Sequence, residues 1–283
     1  MIPTIRTSPI ARFAYIGYVA LFFIYLALPL VVVSVFAFND STLPSLPWRG
    51  FTLDWFFGTE APRLGVFAER PLMRAIGTSA FVAFWVSVLA VAVGTCNAFL
   101  FERHDVPGKG LLYVLMLIPL VIPGIILGIS ILVFSSRIAN FAQAEGLRLN
   151  FLRPGLPLVI AGQFSFIATM ATLIISARLK KFDISLEEAA LNLGATPWQA
   201  IVHVTLPFLR PAMIAAGIVA LLMSFENFNT TLMLVGSDAP LTVTMFDRLK
   251  QGSTPVLNAV SVLLMVASSA LALASIFLQR TRQ

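Results

Sequence analysis

The stretch Ala75–Phe101, AIGTSAFVAFWVSVLAVAVGTCNAFLF, contains no charged side chain. A hydrocarbon core of about 30 Å takes roughly 20 apolar residues in a helix, so this stretch is long enough to cross a bilayer. In lipid, each backbone N–H and C=O must be satisfied inside the segment, which makes a single apolar run of this length an α-helix. Four more uncharged runs share the character: Phe13–Asn39, Leu111–Ser136, Gly155–Ala177 and Val256–Leu278. A sixth, Pro211–Gly236, carries one charge, Glu226. The sequence therefore predicts an all-α integral membrane protein with six transmembrane helices at about 13–39, 75–101, 111–136, 155–177, 211–236 and 256–278, in one domain over residues 1–283. An even number of spans puts both termini on one side.

Composition agrees. Of 283 residues, 58% are hydrophobic and 11% charged, with a mean hydropathy of +0.91; a soluble domain has roughly 45–50% apolar and roughly 25% charged residues. Too few polar side chains exist to cover a globule of this size, which excludes an ordinary soluble fold. The net charge of +6 sits in short pieces between apolar runs, as topology determinants do, and implies no nucleic-acid partner. Ten Lys/Arg lie on the side of the termini, Arg6 and Arg282 among them, and nine on the other, so charge alone leaves orientation open. Arg6 and Arg12 precede the first run, but that run is longer than the roughly 7–15 residues of a signal-peptide core and reads as a retained helix. The one cysteine, Cys96, lies inside an apolar run and has no partner for an internal disulfide.

The connections differ. Asn39–Arg74 holds four prolines with Trp48, Phe51, Trp55, Phe56 and Phe57, and reads as a folded loop on the membrane surface. Glu102–Gly110 is short and turns at Pro107-Gly108, making the second and third helices a hairpin. Pro119 and Pro123-Gly124 remove backbone donors within the third run, which predicts a kinked helix lining a pathway or packing tightly.

Residues 178–210 are the informative segment. Ser185 with Glu188 makes a capping box that starts a helix through Leu193, and Gly194 stops it. Thr196-Pro197 starts a second helix with Trp198, Ile201 and Val202 on one side, ended by Pro207 and Pro211. Two separately capped helices with apolar faces need something to bury them, and the simplest candidate is another protein. His203 in this segment reads as solvated.

Glu188-Ala189-Ala190, then Gly194-Ala195, Ile201, Leu206-Pro207 and Pro211 resemble the EAA signature of membrane permeases in binding-protein-dependent ABC importers. The resemblance implies the type I importer permease fold, with a cytoplasmic coupling helix docked on a separate ATP-hydrolysing subunit. It implies cytoplasmic termini in a bacterial inner membrane, and ATPase contact through Glu187, Glu188, Ala189, Ala190, Leu193, Gly194 and Ala195. The expected partners are a second permease subunit, an ATPase dimer and a periplasmic binding protein. No GxxxxGK[ST] loop occurs, so ATP and Mg are expected on the ATPase; no cofactor, metal or catalytic residue is expected here.

Phe51-Thr-Leu-Asp-Trp-Phe56, Pro119–Gly124 and Ser224-Phe-Glu-Asn227 resemble the spermidine/putrescine branch, its smaller second permease in particular. That branch usually carries an acidic pair after Ser-Phe, and Asn227 replaces the second acid. A polyamine is thus the first expectation for the cargo, with opines, aminoalkylphosphonates and other small organic solutes open. An ionisable residue inside a span usually faces a water-filled path, which makes Ser224, Glu226, Asn227 and Asn229 candidate pathway residues; interhelical bonding is the alternative. Met245, Phe246 and Leu249 at helical spacing predict a short periplasmic helix. A secondary transporter would show ionisable residues in several spans and a membrane enzyme a His/Glu or Ser/His cluster; only Glu226 is found, and His104 and His203 lie outside the runs.

Overall fold

The computed structural model describes residues 8–252 and 254–280, with side chains through Leu273; Arg6 and Arg282 lie outside the described residues. Helix α1 (Pro9–Ala37) is followed by the single turn α2 (Asp54–Phe57) and the long α3 (Arg70–Arg103). Helices α4 (Lys109–Val121), α5 (Gly124–Ala144) and α6 (Leu156–Leu179) follow. Next come α7 (Ser185–Asn192), α8 (Pro197–Ala200), a π-helical turn (Ile201–Thr205), and α9 (Leu206–Phe225). The chain ends with α10 (Asn229–Leu234), α11 (Leu241–Gln251) and α12 (Pro255–Arg280). Among the described residues, six helical stretches are long and apolar enough to cross a membrane: Pro9–Ala37, Arg70–Arg103, Gly124–Ala144, Leu156–Leu179, Pro197–Phe225 and Pro255–Leu273. No β-strand occurs among the described residues, which pair in sheet fashion only at the Asn39–Phe51 bridge.

Packing divides the chain into two compact units, one of residues 1–70 and 249–266, the other of 71–248 and 267–283. In the first, Ser8 caps α1 by accepting the Ala11 N–H at 3.2 Å, and Pro9 supplies a pre-set first turn. Helix α1 buries only its last residue, Ala37, so its apolar surface is left for lipid or a partner. The loop after it is folded, as expected. Asn39 is buried: its Oδ1 accepts the Arg49 N–H at 2.9 Å, its Nδ2 donates to Ser45 O at 3.2 Å, and its carbonyl takes the Trp55 indole N–H at 2.8 Å. Phe38 stacks on Phe51 and Phe56, and Arg63 pairs with Asp40 at 2.6 Å and Asp54 at 3.1 Å. The aromatics divide, however. Trp55 and Phe56 form the loop's own core, and Trp48, Phe51 and Phe57 stay exposed.

In the second unit, α6 is the most buried helix, with Val159, Ile167 and Ile175 fully enclosed. Small residues let backbones approach closely there: a side chain at Gly94 would meet Ala171 Cβ at 2.9 Å, which brings α3 against α6. Ser87 Oγ donates to Gly217 O at 2.7 Å and Thr169 Oγ1 to Met116 O at 2.7 Å, so α3 is also tied to α9, and α6 to α4.

Three helix boundaries depart from the expected ones. The third run is cut in two, since Pro123 offers no N–H and drives Ile122 into extended backbone (φ −69°, ψ 132°). Helix α5 then continues to Ala144, beyond the expected end at Ser136. Second, Pro207 and Pro211 end nothing: helix is continuous from Pro197 to Phe225. The π turn, in which Leu206 N–H reaches Ile201 O, widens the coil just where the Pro207 ring would press on the His203 carbonyl. Third, the run 211–236 breaks at Glu226–Phe228 before α10 begins.

Candidate functional site

Two places combine exposure with unusual chemistry. The first is the pair α7 and α8. The expected capping box at Ser185 and Glu188 is not formed; Asp183 Oδ1, two residues upstream, takes the Ser185 N–H at 3.0 Å in an Asx turn, and Ser185 is the first helical residue. The C-terminus ends as the glycine predicts. Gly194 has φ +92°, its N–H reaches Leu191 O at 3.0 Å, and Ala195 N–H reaches Ala190 O at 3.1 Å, the two bonds of a Schellman turn. A capping box does form one helix later: Thr196 Oγ1 accepts the Gln199 N–H at 3.3 Å and Gln199 Oε1 the Thr196 N–H at 2.8 Å.

These caps hold apolar side chains in the open. Leu193 is 90% exposed and Trp198 70%, with Leu186 and Leu191 exposed beside them. Glu188, Ala189 and Gly194 are exposed too, and Ala190 and Ala195 are half-buried. Glu187 does not share this surface. Its carboxylate accepts from Arg103 Nη2 at 3.5 Å and from the Thr205 hydroxyl, both on this chain. His203 is exposed, with Nδ1 3.0 Å from Gln199 O.

The second place is the break between α9 and α10. Helix α9 ends at Phe225, with Glu226 as its C-cap. Asn227, just before the Phe228 N-cap, then turns its Oδ1 onto the Thr231 N–H at 3.2 Å and the Thr231 hydroxyl at 3.0 Å, satisfying two donors in the first turn of α10. Thr231 Oγ1 also accepts from Gln163 Nε2 at 2.8 Å, and the Ser224 hydroxyl donates to Gln163 Oε1. The bonds run in one direction, Ser224 to Gln163 to Thr231 to Asn227, and Ser224, Gln163 and Thr231 are each at most 3% exposed. Helix α10 is pressed into small residues: side chains at Gly124 and Gly128 would meet Asn229 Cβ at 3.1 Å and Met233 Cβ at 2.9 Å.

Of the four candidate pathway residues, then, Ser224 and Asn227 use their polar atoms inside the protein, and Glu226 and Asn229 are exposed. Glu226 Oε1 accepts from Ser268 of α12 at 3.4 Å. The residues that sequence reasoning passed over are Gln163, Thr231, Arg103 and Thr205. Gln163 had a signal, an amide inside an uncharged run, since polar groups in a span must find partners. No group of three or more His, Cys, Asp or Glu that could hold a metal occurs among the described residues.

Comparisons with known proteins show the family and the fold. Residues 88–281 match the family "Binding-protein-dependent transport system inner membrane component". The chain is 27% identical over 247 residues to the putrescine transport system permease protein PotI of Escherichia coli, covering 87% of this chain and 83% of that one. It is 24% identical to the spermidine/putrescine transport system permease protein PotC of the same bacterium, covering 94% of each. It is 29% identical to a putative 2-aminoethylphosphonate transport system permease protein, PhnV, of Salmonella paratyphi A, covering 92% of this chain and 94% of that one. A bacterial ABC transporter that imports alginate shares the fold at TM-score 0.73 and 18% identity, covering 95% of this chain and 93% of the other. The MetNI methionine ABC transporter does so at TM-score 0.56 and 20% identity, over 75% of this chain and 94% of the other. The chain belongs to the inner membrane components of binding-protein-dependent transport systems, and it is a multi-pass permease subunit of an ABC importer.

Proposed function

We propose that this permease carries a small organic cation, a polyamine first of all, through a pathway that passes Glu226, and that α7 and α8 receive the push of a separate ATPase. In this reading a second permease subunit completes the pathway and a periplasmic binding protein delivers the cargo. Two ATPase subunits bind ATP and Mg on the cytoplasmic side, where both termini and residues 178–210 lie. Residues 1–283 act as one transmembrane domain.

The observation that carries the docking half is the exposed apolar pair Leu193 and Trp198, on helices fixed at their ends by the Gly194 and Thr196 turns. Apolar side chains this exposed, Leu193 at the end of the short α7 and Trp198 in the first turn of the helix that runs on to Phe225, fit a protein groove better than water. Glu188, Ala189, Ala190, Gly194 and Ala195 frame that contact. For the cargo, the support is one carboxylate at an unwound point between two apolar helices. An ionised group there costs a few kcal/mol unless a wet path or a cation meets it, and a protonated amine offers a charge-assisted bond. Asn229, exposed beside it, supplies a neutral partner.

The name of PhnV favours a second reading, an aminoalkylphosphonate, whose ammonium end would use the same carboxylate. Uptake of putrescine and of 2-aminoethylphosphonate into vesicles holding the complete importer decides between them. Competition by putrescine alone supports the polyamine; competition by the phosphonate alone assigns the second reading. Uptake unchanged in Glu226→Gln would remove the carboxylate from both.

A further inference from the structure

The two acids at the start of α7 meet different surroundings. Glu188 is exposed; the Glu187 carboxylate is turned inward, with its side chain 23% exposed and that of Arg103 15%. The two donors to Glu187 come from different helices. Arg103 is the last residue of α3, and Thr205, fully buried, closes the π turn from which α9 runs to Glu226. Behind them, the Arg103 guanidinium lies 5.2 Å from the centroid of the Phe182 ring, Phe182 meets Phe208 edge to face, and Arg178 lies 4.3 Å from the Phe208 centroid while donating to the Phe208 carbonyl. One carboxylate thus joins α7 to α3 and α9, and a stack of two guanidinium groups and two rings joins the segment before α7 to α3, α6 and α9.

The geometry points to Glu187 as the positioning residue that passes displacement of α7 to α3 and α9, with Arg103 and Thr205 as its two holds, and not as a contact to the ATPase. This rests on the docking reading above. A charge pair partly withdrawn from water, as this one is, loses some hydration, and removing either member leaves the other with a weaker set of partners. A surface contact would call for the opposite placement, a carboxylate free to meet a partner. The π turn adds to the argument: such turns are rare and occur mostly as local insertions at functional positions. Here it puts the Thr205 hydroxyl on Glu187. Displacement of a short helix reaches another element only through contiguous bonded and packed groups with more than one arrangement, and Glu187 supplies the direct polar bond.

The test uses the full complex in vesicles and compares ATPase activity with and without the cognate binding protein, purified carrying its own cargo. In Glu187→Gln, the ATPase subunits should co-purify at normal yield while stimulation by the binding protein falls roughly three- to ten-fold. The double exchange Arg103→Glu with Glu187→Arg should recover most of that stimulation, which a general loss of stability would not allow. Where Glu187→Gln fails to assemble, Thr205→Val removes the hydroxyl at nearly constant shape and should lower the same ratio. Lost co-purification with stimulation per bound ATPase unchanged would assign Glu187 to the ATPase contact and overturn the inference. So would normal stimulation, or a loss that the exchange leaves uncorrected. The docking reading fails by a different sign, retention of the ATPase by Leu193→Asp.

Discussion

The α7–α8 pair and the α9–α10 break are opposites in the same unit. At the short α7 and the first turn of the helix Pro197–Phe225, the first holds leucine and tryptophan in the open, beside a half-buried ion pair of Glu187 and Arg103. Between the apolar α9 and the half-polar α10, the second holds a carboxylate in the open, beside a chain of hydroxyls and amides from Ser224 to Asn227. In each, the exposed group is the wrong type for its surroundings, and the less exposed groups beneath it are bonded to one another. In the proposed function, a partner supplies the contact that each exposed group lacks, and the bonded layer beneath holds that group in place. The two regions teach that the residues doing the presenting and those doing the holding separate by burial, which residue type alone does not reveal.

The sharpest way to break this comparison is to spoil the apolar face. Leu193→Asp with Trp198→Ala removes two exposed anchors, each worth about 2 kcal/mol or more at the centre of an interface. ATPase recovered with the tagged permease should fall more than about ten-fold while permease yield holds. An unchanged pull-down yield would make α7 and α8 ordinary surface.

The next effect falls on the holding layer of the break. Gln163→Leu leaves the Ser224 hydroxyl without its acceptor and Thr231 without its donor, a loss of about 1–3 kcal/mol. The purified protein should unfold at lower temperature, and transport should drop with it, although Gln163 is buried. Full thermal stability in Gln163→Leu would show that the break stands without the chain of bonds.

Gly194→Val tests the turn between the two presenting helices. No atom lies within 4 Å of a side chain built there, so the cost is backbone conformation alone, about 1–2 kcal/mol for a left-handed residue. ATPase binding should weaken without loss of the spans, and Gly194→Asn, which tolerates that backbone, should stay near normal. Equal behaviour of Val and Asn would mean the turn is not held in the complex.

The smallest effects on stability belong to the presenting carboxylate. Glu226→Gln keeps shape and exposure, so melting should shift little, whereas uptake of a cation should fall by about ten-fold, the worth of a charge-assisted bond of about 1.5 kcal/mol. Ser268→Ala, which removes one 3.4 Å bond to Glu226, should change uptake less than two-fold or so. Equal losses in both would move the role from charge to hydrogen bonding.

Much of this protein was legible in the residues. Runs without charge predict helices in lipid because a backbone there has no other way to satisfy itself, and six stretches of spanning length are what the structure contains. Gly194 and Thr196 marked their turns because the left-handed φ and the side-chain cap are local properties, decided within a few residues. The local rules failed where two of them competed. Asp183 displaced Ser185 as the group at the start of α7, and Pro207 was absorbed by a π turn instead of ending a helix.

The residues alone determined the membrane solvent, six stretches of spanning length and the turn at Gly194 and Thr196, all consequences of composition and short-range geometry. Only the tertiary structure decided which polar residues face inward. Glu187 and Glu188 are neighbours of the same type, and Ser224, Glu226 and Asn227 are close in sequence and all polar; what separates them is whether Arg103, 84 residues from Glu187, Thr205, 18 residues from it, or Gln163, 61 residues from Ser224, comes within bonding reach. A hydrogen bond requires two atoms about 3 Å apart, and over 60 residues and more of chain that distance is set by helix packing, through close approaches such as that of Gly94 to Ala171.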